Sequence, residues 1–288
     1  MRRVLNPAAL LSALALFLTA CASDALNLVT SRAGYSATND IAYGPDPRQR
    51  FDLYVPDGAE PQTPLVVYIH GGSWDSGSKD IYRFVGQSFA AQGFILAVPN
   101  YRLYPQVTFP GFVEDAALAL ASVDRALASG AYGVPAGRRP LALMGHSAGA
   151  QIAALLAFDE RYLTAAGSSR DRLSAFVGLA GPYDFLPLTE ERYERVFPAQ
   201  TRDQSQAVNY ADGRGPATLL VHGTADTTVL PANSTSMANA IRAAGGRAEL
   251  RLFEGVNHIV PISSFATALP LGNPAIPQAV FAFLKGRL

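Results

Sequence analysis

Three residue types, in one order along the chain, could together carry out acyl transfer: a serine, a carboxylate and a histidine. Ser147 lies in Gly145-His146-Ser147-Ala148-Gly149, after the apolar run 140–144 and before 152–156, which reads as a helix. A serine on a sharp strand-to-helix turn holds its hydroxyl clear of the backbone, and the flanking glycines leave such a turn room. Asp226 ends the run Leu219-Leu220-Val221-His222-Gly223-Thr224-Ala225-Asp226, just past an apolar strand. A carboxylate there can accept a hydrogen bond from a histidine, fix its tautomer and stabilise its imidazolium form. His258, in Phe253-Glu254-Gly255-Val256-Asn257-His258, is the only histidine beyond Asp226. With an ordinary pKa of about 6.5 it can take the serine proton at neutral pH and return it to a leaving group. Asp184, after the apolar run 176–180, is the rival acid. His70 and His222 are read as structural.

Acyl transfer also needs donors for the oxyanion, and fixed backbone N–H groups serve best because they need no reorganisation. His70-Gly71-Gly72-Ser73-Trp74 follows the apolar run 65–69 and supplies a glycine-rich backbone for that purpose. Gly71, Gly72 and Ser73 are the candidates on this loop, and Ala148, just after the nucleophile, offers a further amide.

The elements that must position these residues are legible as alternating short apolar runs and helical patterns. Strands are expected at 65–69, 94–98 and 141–144, and helices at 81–92, 111–128 and 278–284. Continuous rather than alternating apolar runs imply strands buried on both faces, as in a parallel sheet covered by helices. The expected fold class is therefore α/β, a mostly parallel sheet flanked by helices, in one domain over 40–288. Residues 48–54 are amphipathic and are expected to form an edge hairpin with 41–43. A proline- and aromatic-rich loop at 100–110 and an insert at 183–215 follow strand ends, where such sheets place ligand sites. The insert is expected to form a small cap. Trp74, Tyr101 and His146 are expected to line the substrate pocket.

The motifs HGGSW, NYRLYPQVTFPG, GHSAGAQ and HGTAD, with the order Ser147, Asp226, His258, resemble the α/β-hydrolase superfamily. Within it the chain is similar to carboxylesterases related to hormone-sensitive lipase, to feruloyl-esterase-like proteins and to arylformamidases. The oxyanion stretch reads HGGS where HGGG is usual, and His146 stands where many hormone-sensitive-lipase relatives carry aspartate. The resemblance implies a serine carboxylesterase for small to medium acyl groups, working through an acyl-enzyme on a small-molecule ester. Two other readings stay open: an arylformamidase or other amide hydrolase with the same triad, and a non-catalytic ligand-binding lipoprotein.

The N-terminus has its own pattern. Met1-Arg2-Arg3 is basic, 8–18 is apolar but short for a membrane span, and Leu18-Thr19-Ala20-Cys21 carries the protein's single cysteine. This resembles a bacterial lipoprotein signal over 1–20, with Cys21 lipidated and 21–39 a tether. The implied location is the periplasmic side of a bacterial membrane, with Ala22 after the cysteine favouring the outer membrane. One cysteine allows no internal disulfide. The whole chain balances 23 basic against 23 acidic residues; losing Arg2 and Arg3 with the leader leaves a slight acidic excess. Such a charge favours no nucleic-acid partner. No spaced His/Cys/carboxylate cluster, P-loop or dinucleotide fingerprint is present, so neither a metal nor a cofactor is expected. Nothing in the pattern sets the oligomeric state.

Overall fold

Apolar runs too short for helices become strands. Leu65–Ile69 (β3), Ile95–Pro99 (β4) and Leu141–His146 (β5) are buried at every position. So is Ala217–Gly223 (β7), while Leu173–Leu179 (β6) is buried at all but Ser174. With Tyr35–Ala42 (β1), Arg50–Pro56 (β2) and Ala248–Phe253 (β8) they form one eight-stranded sheet, ordered β1-β2-β4-β3-β5-β6-β7-β8. β2 runs antiparallel to both β1 and β4, and all other neighbours are parallel. The computed structural model describes residues 26–269 and 271–288.

Helices cover both faces, as the fully buried strands require. Gly111–Ala128 (α2) and Ala148–Phe158 (α3) pack on one face with β3 and β5 side chains such as Val67 and Leu143. Arg83–Ala90 (α1) and the C-terminal Ala275–Lys285 (α8) pack on the other, around Val66, Leu96 and Met144. α3 is buried along its whole length, consistent with its lack of a polar stripe. Between them come Glu160–Ala165 (α4), Glu191–Val196 (α5), Ala232–Ala243 (α6) and Val260–Ser263 (α7).

The mostly parallel α/β architecture expected from the sequence is the one observed, and α2 has the expected bounds. Two expectations need correction. The expected edge hairpin is present but longer, and its second strand is not amphipathic: β2 is buried from Phe51 to Pro56, while β1, the outer strand, is exposed along most of its length. The tether expected over 21–39 is folded from Leu26 onward. Residues 26–29 form a helical turn, Leu26 is buried against the α1 face, and β1 begins at Tyr35. Cys21 and the signal at 1–20 lie outside the described residues. Among the described residues, no helix is long and apolar enough to cross a membrane.

The strand order makes a site at one point. β3 is followed by α1 and a neighbour on one side, β4, while the chain returns through α2 to β5 on the other. Loops leaving the carboxyl ends of β3 and β5 therefore diverge and open a crevice between them. Ile69 pairs with Gly145, which sets the HGGSW loop beside Ser147.

Candidate active site

Ser147 occupies the turn between β5 and α3 with φ 55° and ψ −127°. A non-glycine residue there costs about 1–3 kcal/mol, so the surroundings must hold it. They do: Ser147 N–H donates to Leu179 O at 2.9 Å, and the backbone crosses tightly on both sides. A Cβ on Gly145 would stand 2.3 Å from Gly149 O, and one on Gly149 2.2 Å from Ile69 O. Only glycine lets α3 start this close to β3.

His258 Nε2 lies 2.8 Å from Ser147 Oγ, and His258 Nδ1 lies 2.7 Å from Asp226 Oδ2. A carboxylate can only accept, so Nδ1 carries the proton and Nε2 is free to accept from the serine hydroxyl. Asp226 is almost wholly buried. Burial pushes its carboxyl up, but hydrogen bonds from His222, His258 and the Val229 N–H outweigh this and hold it well below the usual carboxylate range. Its other oxygen, Oδ1, accepts from Thr228 and Val229 N–H, each at 2.9 Å. Asp184 is not in this chain of bonds: its Oδ2 accepts from Ser236 Oγ at 2.5 Å.

The loop after β3 runs against the serine. An added Cβ on Gly71 would be 3.1 Å from Ser147 Cβ, and Ser73 and Trp74 both have left-handed backbone, φ 51° and 62°. Among the described residues, the N–H groups of Gly72, Ser73 and Ala148 have no protein acceptor. Ser73 and Ala148 line the same cleft as Ser147. His70 underpins this loop. It is buried, its Nδ1–H donates to Gly71 O at 2.7 Å, and burial lowers its pKa to about 4.

The cleft has a volume of about 360 Å³. Its floor is Ser73, Trp74, Ser147 and Ala148; one wall is Asp184 to Glu190 with Tyr193, and the other is Thr228 to Leu230 with Asn233. Segment 183–215 thus supplies a wall and also packs on Trp74, whose ring lies 4.8 Å from Phe197 and 6.0 Å from Phe185, centre to centre. Trp74 Nε1–H donates to Gln151 Oε1 at 3.0 Å, and Gln151 Nε2 donates to Ser205 O at 2.9 Å. A second tie runs from Phe109 N–H to Val196 O at 2.9 Å. The 100–110 loop is itself fixed by Arg102, which grips buried Asp115 with both Nε and Nη2.

Two residues expected on the pocket wall lie beneath it. Tyr101 is fully buried, stacks on His70 at 4.5 Å and donates its hydroxyl to His70 O at 2.9 Å. His146 is buried under His258; its Nε2–H donates to His258 O at 2.9 Å. Burial, and then the neighbouring His258, lower the His146 pKa to about 3, so the ring is neutral. Trp74 does line the cleft. The residues that the sequence did not single out are Gln151, hidden in an apolar helix, and Thr228 to Leu230. The position of these three within four residues of Asp226, past a strand end, was the available signal for the second wall.

The sheet order, the strained serine at the β5–α3 turn and the loop after β3 define an α/β-hydrolase. The chain belongs to the BD-FAE family, whose profile matches residues 51–241. It is 31% identical over 240 residues to a probable isoprenylcysteine alpha-carbonyl methylesterase of Arabidopsis thaliana, across 76% of this chain and 56% of that protein. It is also 31% identical over 119 residues to a kynurenine formamidase of Danio rerio, across 41% of this chain and 37% of that one. The chain thus spans little more than half the length of the first of these relatives. Among solved structures, a truncated carbohydrate esterase from gut microbiota superposes with a TM-score of 0.76 at 17% identity, covering 89% of this chain and 98% of its own.

Proposed function

We propose that the protein is a serine carboxylesterase acting on esters of small to medium acyl groups. The observation that carries this reading is the unbroken line Asp226–His258–Ser147, ending in a serine hydroxyl at the floor of an open cleft. In it, Ser147 Oγ attacks the ester carbonyl as its proton passes to His258 Nε2. The oxyanion is met by the free N–H groups of Ser73 and Ala148, with Gly72 adjoining. The tetrahedral species collapses, His258 gives its proton to the departing alcohol, and an acyl-serine remains. Water then attacks that acyl group, His258 taking and returning the proton, and the acid leaves. Asp226 stays ionised throughout, which its depressed proton affinity supports. The cleft volume is near the lower end of the range for ligand pockets, in keeping with a small to medium acyl group. The esterase names among relatives agree with this reading.

The test is a p-nitrophenyl ester series of rising acyl length, run on the protein and on Ser147→Ala. The expected outcome is turnover that falls as acyl length grows and drops about a thousandfold or more in the variant. Full activity in Ser147→Ala would overturn the assignment. The formamidase similarity favours a second reading, hydrolysis of an N-formyl aryl amide by the same residues; faster turnover of that substrate than of any ester would select it. The reading of Cys21 as a lipid attachment site, on the periplasmic side of a bacterial membrane, belongs to the same proposal. It rests on the sequence 1–21 alone. Cys21→Ser is expected to move the protein from the membrane to the soluble fraction, and an unchanged distribution would refute it.

A further inference from the structure

Behind Asp226 lies a histidine that the acyl-transfer steps do not use. His222, on β7, is fully buried. Its Nε2 is 2.8 Å from Val229 O, and since a carbonyl can only accept, Nε2 carries the proton. Nδ1 is then a lone-pair acceptor, and the buried Ser234 hydroxyl of α6 donates to it at 2.7 Å. The same Nε2 is 3.2 Å from Asp226 Oδ2, the oxygen that receives His258 Nδ1–H. One carboxylate oxygen therefore has two proton-bearing imidazole nitrogens close by: His258 Nδ1 at 2.7 Å, and His222 Nε2, whose N–H goes chiefly to Val229 O, at 3.2 Å.

We propose that His222 is a positioning residue whose N–H, shared between Val229 O and Asp226 Oδ2, sets how strongly the carboxylate supports a proton on His258; this rests on the triad reading above. An N–H aimed at a carboxylate draws charge from the oxygen and leaves less of it to stabilise an imidazolium on the far side. Removing the donor would leave more of that charge for the His258 side, which is what a pH profile can read. Ser234 secures the arrangement by occupying Nδ1, which leaves Nε2 as the proton-bearing nitrogen. The groups facing Asp226 and His258 are each other, His222 from β7 and His146 from the end of β5, with ring centres of His146 and His258 5.0 Å apart. Among the described residues, no lysine, arginine or further carboxylate pairs with either.

The experiment compares pH profiles of kcat/KM on a p-nitrophenyl ester for the full protein, His222→Leu and His222→Gln. Leucine removes the donor, whereas glutamine can place an amide N–H near the Nε2 position. In His222→Leu the acid limb is expected to move up by about half a pH unit or more, with kcat reduced and KM little changed. His222→Gln should bring the limb back toward its original place. Activity lost evenly at all pH values, with the limb unmoved in a folded Leu variant, would overturn the proposal and leave His222 a packing residue. Should the Leu variant not fold, 15N-histidine spectra of the unaltered protein decide. The His222 Nε2–H signal must shift in step with the titration of His258, and a signal flat through that titration overturns the coupling. The spectra need no turnover, so a Ser147→Ala enzyme that stayed active would sink the esterase reading without touching this result.

Discussion

Ser147 and Asp226 were legible because each follows an apolar run at a strand end, where a sheet delivers side chains to one edge, and His258 because it is the only histidine beyond Asp226. The supporting histidines were harder to place. His146 follows Gly145 on β5, and neighbouring residues of a strand point to opposite faces, so its ring goes under His258 instead of into the cleft. Tyr101 is an aromatic after a strand end, but stacking on His70 draws it inward. Spacing carries no sign of such a partner. If Asp226 holds His258 in the right tautomer, Asp226→Asn should lower kcat by about a thousandfold or more while the protein stays folded by circular dichroism. The two buried, neutral histidines give a second prediction. His70 and His146 have folded pKa values of about 4 and about 3, below the ordinary value of about 6.5. Unfolding lets both bind a proton below about pH 6.5, so their contribution is complete above that pH and is lost as pH falls toward 4. Each contributes roughly 1.4 kcal/mol per pH unit within that window. Urea unfolding at pH 7, 6, 5 and 4.5 should show His146→Asn losing stability with acid about one proton less steeply than the unaltered protein. An equal slope would mean that His146 is not held neutral.

At the scale of elements, the sequence delivered α2 and the buried parallel strands, since an unbroken apolar run or a long helical period is a local property. It missed the start of β1 because an exposed, polar outer strand has no apolar periodicity; β1 also carries an irregularity between Thr38 and Ile41. Pairing with β2 is what makes it a strand, and that is a non-local cause. The contact between α3 and β3 gives a sharp prediction. Gly149→Ala places a methyl 2.2 Å from the Ile69 carbonyl, a backbone atom that cannot step aside. Overpacking of this kind costs about 1–3 kcal/mol or more. The variant should melt well below the original by calorimetry and lose the proposed esterase activity, because α3 also carries the Ala148 amide. Gln151→Leu tests a second position in the first turn of the same helix. It strands the buried Trp74 N–H, at a cost of about 1–3 kcal/mol, and frees Ser205 O. We expect a lower melting temperature together with a raised KM, as the wall at 183–215 loosens.

For the whole molecule, the relevant boundary is where the folded unit begins. Leu26 is part of the α1-side core, and β1 covers the outer edge of β2. A chain begun at Leu26 should purify as a folded enzyme. One begun at Asp40 leaves most of the β2 edge unpaired and should aggregate, as size-exclusion chromatography would record. Comparable yields of both would mean that β1 is dispensable. The sequence placed this boundary at residue 40 because a lipoprotein leader suggests a tether, and nothing local marks Leu26 as a core residue. The bridge from Trp74 through Gln151 to Ser205 also bears on how such a scaffold can be altered. The loop after β3, the start of α3 and the 183–215 segment share one hydrogen-bonded post, so a change in one reaches the others. An engineer who recombines the 183–215 segment with that of another enzyme, to change which alcohol is accepted, must transfer residues 74 and 151 with it. A library that varies the segment alone is expected to yield folded proteins whose catalytic loop has lost its anchor.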